Sequence, residues 1–473
     1  MNKMYQLCGC AIRSLLGIPS GTVAAKASVI ELLANTIHGL GFIVTKSINF
    51  PGKEGWKAPI YVRRGPGSYI NAVGLDNIGA KAFADELSKI KLPPGFMLIV
   101  SLFGKTPEEF LRAAEILRPY AHAFELNLSC SHSTEFGRVI GQDLELVAKI
   151  VEAVVPLGAP VFLKLSARMD VVAIVQRTKG MGIAGYSVTN TLGPEPYEID
   201  GYPVLTNGKG SISGREITFN ALECIRTIRE NTDLAIIGGG GISTGQNVRN
   251  AINSGATVCA IGSGNTGMST AQMARYYAML ITDISERTDE AGKLLAEVER
   301  TSASNMEYRK FEVAENEALA SDLFHLRFTE EINAGPGQFV FAWIPGKGER
   351  PFSVLDVSPL SLLVGIKGVC TQFLSQLKPG DKVYVRGPHG NIPKVSGKIL
   401  LVGGGTGVAS LKLFAKNYGR NTVAVLGAKD YAHLFVNPFR VYCHYIYPCV
   451  ETGGPELMHC GLVTDDLGDI ISP

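Results

Sequence analysis

The segment Glu125-Leu126-Asn127-Leu128-Ser129-Cys130 reads as a short apolar strand that ends abruptly in an amide and a thiol. A free thiol ionises at about pH 8.5, near enough to neutrality to serve as a proton-abstracting base once its surroundings favour thiolate. A cysteine at a strand end is also a common core residue, so its neighbours decide between the two readings. Amides recur in Asn71-Ala72-Val73-Gly74-Leu75-Asp76-Asn77 and in Val188-Thr189-Asn190-Thr191. Each amide both donates and accepts hydrogen bonds, which suits a ring with alternating N–H and C=O groups. The bland alternative is turn formation, strongest for Asn77 beside Asp76 and Gly79. Lys46 and Lys164 each close an apolar run, in Val44-Thr45-Lys46-Ser47 and Phe162-Leu163-Lys164-Leu165. A snorkelling surface lysine explains such a setting poorly.

Two glycine runs carry the clearest signal for a phosphate. Ile237-Gly238-Gly239-Gly240-Gly241-Ile242 and Ile261-Gly262-Ser263-Gly264 each follow an apolar strand pattern. Backbone N–H groups in two successive loops of this kind form a cradle for an anion.

These residues need a scaffold that brings many strand ends together. Strand-like runs at residues 97–100, 123–128, 160–165, 184–188, 234–237 and 257–261 alternate with helical patterns such as 144–155 and 244–254. Thr106-Pro107-Glu108-Glu109 reads as a helix start, with Thr106 as the cap, Pro107 in the first turn and Glu109 closing a capping box. The alternation predicts α/β structure. Chemistry after many different strands favours a (β/α)8 TIM barrel over a doubly wound sheet, which keeps its ligand at one switch point. Residues 4–12 read as the first strand region. Beyond a linker near 301–306 the pattern changes to antiparallel strands at 311–331 and 337–345, with turns at Lys378-Pro379-Gly380-Asp381 and Gly387-Pro388-His389-Gly390-Asn391. A buried-type strand at 398–402 then leads into Gly403-Gly404-Gly405-Thr406-Gly407. The expected order is a barrel over residues 1–300, a small antiparallel β-barrel over 306–395, and a shortened nucleotide-binding α/β unit over 396–473.

Composition narrows the function classes. At 473 residues the chain exceeds one ordinary core. Hydrophobic residues at 46% and charged residues at 19% describe a globular protein and not a disordered one. Lys and Arg exceed Asp and Glu by only two, 45 against 43, with no basic run, which argues against nucleic acid as a partner. No apolar run reaches the roughly 18 residues that span a bilayer. The nine cysteines are scattered, as reduced thiols in a cytoplasmic protein would be. Cys443, His444, Cys449, His459 and Cys460 fit no standard metal spacing, so no metal is expected.

The residues after Pro19 and up to Gly264 resemble the class 1, FMN-dependent dihydroorotate dehydrogenase family. The resemblance rests on Asn71, Gly74 and Leu75 of its Asn-x-x-Gly-Leu-x-Asn loop, on Asn127 and Cys130, and on Asn190-Thr191. It implies oxidation of (S)-dihydroorotate to orotate in pyrimidine biosynthesis, with Cys130 as the base and hydride passing to FMN. Substrate would be held by Lys46, Asn71, Gly74, Leu75, Asn127, Asn190 and Thr191. The flavin would be held by Ser20, Gly21, Lys46, Ser47, Asn127, Lys164, Ser213, Gly214, Gly240, Gly241, Gly262 and Ser263, with Ser20-Gly21-Thr22 under the ring. The family commonly writes Ser-Cys-Pro-Asn at the catalytic loop, where this chain has Ser129-Cys130-Ser131-His132. Dihydropyrimidine dehydrogenases carry a histidine there, followed by an element like Gly141-Gln142-Asp143, so dihydrouracil is the rival substrate; a non-catalytic flavin electron carrier is the rival from another class. The Asn71 loop favours dihydroorotate.

Residues 308–464 resemble the ferredoxin-reductase-like electron-transfer subunit of the same system. Arg350-Pro351-Phe352-Ser353 matches its FAD motif, Gly368 and Thr371 fall on its diphosphate turn, and Gly403, Gly404, Gly405 and Gly407 fall on its nicotinamide-nucleotide (NAD) loop. Cys370 stands where related proteins carry glycine. No Cys-x4-Cys-x2-Cys pattern exists, so a [2Fe–2S] cluster is not expected in this chain. The resemblance implies a homodimer and a further electron-transfer subunit as partner; the departure from the family's cluster pattern and the shortened tail imply that FAD binds but that NAD reduction is impaired or depends on another subunit.

Overall fold

The computed structural model describes residues 4–21, 25–129, 140–455, 458–465 and 467. Thr22 and the run from Cys130 to His132 lie outside the described residues. The chain divides into two compact units, Met1–Ser304 and Asn305–Pro473.

In the first unit eight parallel strands close a barrel: β1 (Leu16–Ile18), β2 (Phe42–Val44), β3 (Met97–Leu102), β4 (Ala123–Asn127), β5 (Val161–Lys164), β6 (Gly185–Val188), β7 (Ala235–Gly239) and β8 (Val258–Ala260). They pair in chain order around the ring. Eight helices follow them one by one: α1 (Ala27–Thr36), α2 (Ala80–Leu87), α3 (Pro107–Leu117), α4 (Leu144–Val154), α5 (Val171–Thr178), α6 (Thr218–Arg229), α7 (Gly245–Asn253) and α8 (Thr270–Glu286). A ninth, α9 (Glu290–Thr301), closes the unit.

The strands alternate with a period of two, because successive side chains point to opposite faces. Phe124, Leu126, Leu98, Val100, Val161 and Leu163 join the core that also takes in apolar residues of the helices. The intervening positions form a second cluster inside the ring, from Phe42, Met97, Ile99, Ala123, Phe162, Ile237 and Val258. One step further along the same inward columns stand Ser101, Glu125, Asn127 and Lys164, all buried. The barrel interior is therefore apolar below and polar at the strand C-terminal ends.

Two local expectations change. Residues 5–12 form a hairpin, Tyr5–Leu7 with Cys10–Ile12, outside the ring, and the first barrel strand is β1. Cys8 takes a positive φ of 49° at this turn, which interrupts the apolar run. At α3, Thr106 Oγ1 accepts from Glu109 N as expected. The Glu109 carboxylate, however, accepts from Lys105 N at 2.7 Å and not from the cap residue.

In the second unit six antiparallel strands close a smaller barrel: β9 (Arg309–Ala320), β10 (Leu323–Phe328), β11 (Phe339–Ile344), β12 (Gly348–Val357), β13 (Leu360–Gly365) and β14 (Lys382–His389). A parallel sheet follows, β15 (Ile399–Gly404), β16 (Thr422–Asp430), β17 (Tyr445–Thr452) and β18 (His459–Cys460). Leu323, Leu355 and Leu363 of the barrel share one apolar cluster with Leu401, Ala424 and Leu426 of the sheet. That shared core makes the two regions one unit.

Candidate active site

The polar ends of the barrel strands, together with an antiparallel sheet inserted among them, line a single cavity of about 1270 Å³ counted to its open mouth. Ser20 and Gly21 come after β1, Lys46 and Ser47 after β2, and Asn127 and Lys164 from the last positions of β4 and β5. Asn190 and Thr191 follow β6, Gly240 and Gly241 follow β7, and Gly262 and Ser263 follow β8. The inserted sheet has four strands, Leu192–Pro196, Lys209–Gly214, Ser68–Asn71 and Tyr61–Gly65 in spatial order. It contributes Asn71, Ser213, Gly214 and Tyr61, and Gly74 and Leu75 stand just beyond its third strand.

Hydrogen bonds tie these strand ends together. Glu125 Oε1 accepts from Ser101 Oγ at 3.0 Å, and Ser101 and Ser47 share a hydroxyl contact of 2.9 Å. Asn127 Nδ2 donates to Ser47 Oγ at 3.0 Å, and Ser20 reaches the same hydroxyl at 3.3 Å. Lys164 Nζ stands 3.6 Å from Glu125 Oε2 with both side chains withdrawn from water. Lys46 Nζ pairs with Asp76 Oδ2 at 3.0 Å. Asn71 Nδ2 donates to the Ser211 carbonyl at 3.1 Å, across the inserted sheet. Asn77 turns its amide on Asn49 and the Leu75 carbonyl, which makes it a builder of the loop.

Gly240 and Gly241 leave no room for a side chain, as a phosphate cradle requires. Gly240 and Gly241 adopt φ of 110° and 70°. A Cβ on Gly241 would lie 2.0 Å from Thr218 Oγ1, and one on Gly240 would lie 2.8 Å from Thr189 Cγ2. Only glycine leaves the backbone open there, and α7 begins four residues later behind its Thr244 cap. Backbone donors, a nearby helix N-terminus and two lysines suit a phosphorylated, electron-accepting ring. The residues present fit FMN.

Every barrel residue that the resemblance nominates lines this cavity, apart from Thr22 and Cys130, which lie outside the described residues. The cavity also holds Tyr61, Ser187, Thr189, Ile217 and Ile237, which the motifs did not nominate. Glu125 was missed as well, although a lone carboxylate between Phe124 and Leu126 is visible in the sequence as an anomaly of an apolar strand.

In the second unit a cavity of about 1090 Å³ lies at the C-terminal ends of the parallel strands. Gly404, Gly405 and Thr406 line it with Lys367, Asp322, His433 and Glu451. Gly403 instead packs close to Leu411. Arg350 to Ser353 lie on β12, with Arg350 and Pro351 exposed. Thr371 Oγ1 accepts from Lys367 N and Gly368 N, at 2.9 and 3.1 Å, and so caps helix α10 (Val369–Ser375). Cys370 points inward, where burial pushes its thiol pKa up. Among the described residues no helix is long and apolar enough to cross a membrane.

A closed parallel barrel with lysines, amides and a glycine cradle at its C-terminal mouth defines a cofactor-dependent (β/α)8 enzyme. Residues 4–275 match the profile described as Dihydroorotate dehydrogenase. Among curated proteins, the chain is 36% identical over 260 residues to the dihydroorotate dehydrogenase B (NAD(+)) catalytic subunit of Archaeoglobus fulgidus, covering 54% of this chain and 85% of that protein. It is 32% identical over 266 residues to the same-named subunit of Methanocaldococcus jannaschii, covering 54% and 85%. With that of Pyrococcus abyssi it shares 39% identity over 230 residues, covering 48% and 75%. The chain belongs to the dihydroorotate dehydrogenase family, whose members are oxidoreductases and flavoproteins.

Proposed function

We propose that the chain oxidises (S)-dihydroorotate to orotate in pyrimidine biosynthesis, in the cavity at the mouth of the first barrel. The observation that carries this reading is the convergence of Asn71, Asn127, Asn190, Lys46, Lys164 and two glycine loops on that one cavity. FMN, when bound, supplies the hydride acceptor for C6 of the substrate. Asn71, Asn127, Asn190 and Thr191 meet the ring's donors and acceptors, since an amide offers both. Gly74 and Leu75 add backbone contacts, and Lys46 places a cation beside the anionic substrate. Cys130 takes the C5 proton onto Sγ, and the electron pair left at C5 becomes the new C5=C6 bond. Val188, Ile217, Ile237 and Ala260 give the cavity apolar walls, which keep water out and strengthen its charge contacts.

Ser20, Gly21, Ser47, Ser213, Gly214, Gly240, Gly241, Gly262 and Ser263 hold the FMN, with Lys46, Asn127 and Lys164 against its ring. In the second unit Arg350, Pro351, Phe352, Ser353, Gly368 and Thr371 hold FAD, and the loop Gly403, Gly404, Gly405 and Gly407 takes NAD. That unit would receive the electrons, with NAD reduction weak unless another subunit assists. The relatives' designation as catalytic subunits supports such a partner, beside a homodimer. The eight described cysteines are all free thiols, which supports a cytoplasmic setting.

The test is anaerobic addition of dihydroorotate to the purified chain, with the flavin spectrum followed and the released cofactors identified. Bleaching by dihydroorotate but not by dihydrouracil is expected, with FMN and FAD released. Bleaching by dihydrouracil alone overturns the substrate; a protein without FMN overturns the reading. Rapid NAD reduction by the chain alone overturns the assisted route.

A further inference from the structure

We propose that Glu125 is a positioning residue that holds the Lys164 ammonium in place beside the flavin, an inference that rests on reading the first cavity as the flavin site. Glu125 is fully buried and Lys164 is only 5% exposed. A buried ammonium is costly unless a negative charge stands nearby to hold it. Glu125 is that charge: its Oε2 lies 3.6 Å from Lys164 Nζ, on the adjacent strand at the next inward position.

The geometry separates charge from contact. Among the described residues Oε2 receives no hydrogen bond, while Oε1 is held by Ser101 Oγ at 3.0 Å. The carboxylate is fixed from the side by Ser101, its register partner on β3, which is linked onward to Ser47 and Asn127. At 3.6 Å the ammonium keeps its donors for the cavity that it lines. The other cation on this cavity among the described residues, Lys46, has its own partner in Asp76 at 3.0 Å, so it leaves Glu125 to Lys164.

The consequence is electronic. An ammonium held against the flavin favours its electron-rich form; one that has swung away does so less. Glu125→Gln, which keeps the shape and removes the charge, should lower the flavin midpoint potential at pH 8 in the same direction as Lys164→Met. The expected size is about a tenfold shift in the oxidised-to-reduced ratio, which is about 30 mV for a two-electron couple. Because Glu125 acts through Lys164, the double variant should fall no further than Lys164→Met alone.

Potentials are measured on the flavin-loaded full chain by dye equilibration. An unchanged or raised potential in Glu125→Gln overturns the proposal, as does additivity in the double variant. If Glu125→Gln does not fold, Glu125→Asp replaces it: retreat of the carboxylate by one methylene should lower the potential by a smaller step, and no change overturns the proposal. A wild-type chain that binds no flavin would instead sink the functional reading itself.

Discussion

Asn190 Nδ2 donates to both oxygens of Ser129, to the hydroxyl at 3.1 Å and to the carbonyl at 3.3 Å. Its own Oδ1 accepts from Thr191 N at 2.9 Å. This amide, on the loop after β6, therefore orients the residue immediately before Cys130. Asn190→Ala should lower kcat/KM for dihydroorotate by roughly tenfold, the worth of one to two lost hydrogen bonds. Asn190→Asp, which cannot donate to Ser129, should fall with it. Steady-state rates that match the wild type would remove Asn190 from the site.

Cys130 is the base in the proposed function, from its place after Asn127 and from the resemblance. Its replacement by Ser or Ala should slow flavin reduction at pH 7 by at least about a hundredfold, the usual contribution of a positioned base. The wild-type rate should rise with pH toward the ordinary thiol range near pH 8.5, and in the serine variant that limb should move out of reach. Stopped-flow bleaching decides this, and equal rates in both variants would show that Cys130 is not the base.

Gly241 combines a φ of 70° with a Cβ position 2.0 Å from Thr218 Oγ1. Gly241→Ala must shift the loop at a cost of about 1–2 kcal/mol from the backbone alone. Flavin content, read as the ratio of visible to protein absorbance, should drop by at least about tenfold at limiting FMN. Gly180→Ala, where a Cβ meets nothing within 4 Å, should keep its flavin.

How far this site could be read from residues alone depends on the kind of signal. Asn127, Lys46, Lys164 and the two glycine loops are polar or glycine residues at the ends of apolar runs, and strand periodicity sends them to one barrel mouth. Tyr61, which the motifs missed, and Ser213, which the resemblance alone supplied, reach the same cavity through an inserted sheet whose strands are far apart in sequence, Ser213 facing Tyr69 across the ladder. Such pairing is non-local and leaves no periodic trace. The hairpin at residues 5–12 misled for the opposite reason. Its apolar pattern is real, but Cys8 and Gly9 both take positive φ, which turns the chain back before a barrel strand can form. In the second unit, the motif Gly403-Gly404-Gly405 correctly marked a strand end, yet only part of it opens on the cavity because Gly403 is taken up in packing.

Arg63 and Glu299 pair at 3.0 Å with little exposure, and Tyr69 Oη adds a bond to the same carboxylate at 3.2 Å. The link fastens the edge strand of the inserted sheet to α9. Tyr61, which lines the cavity, stacks on Tyr69 with ring centres 5.2 Å apart. Glu299→Ala leaves a buried guanidinium without its carboxylate and should destabilise the first unit by about 3 kcal/mol. A urea midpoint within error of the wild type would contradict that.

His433 sits between Asp430 and Asp322 at the rim of the second cavity. Its hydrogen bond to Asp430 foremost, then that to Asp322, raises its pKa. The raised value means that its stabilisation is complete below the ordinary histidine value near 6.5 and is lost as pH climbs through the folded value. His325 and His389 act in the opposite sense. Burial holds each at about 4, with Arg327 and Arg386 respectively adding to the shift. Both stay neutral in the folded protein while the unfolded chain takes up protons, so their contribution is lost as pH falls below about 6.5. Stability of the second unit should therefore peak near pH 6.5 and decline on both sides. Buried Trp343 reports the unfolding of this unit by fluorescence during urea titration. His433→Gln should flatten the alkaline limb and leave the acid limb in place; if it flattens the acid limb instead, the assignment of His433 is wrong.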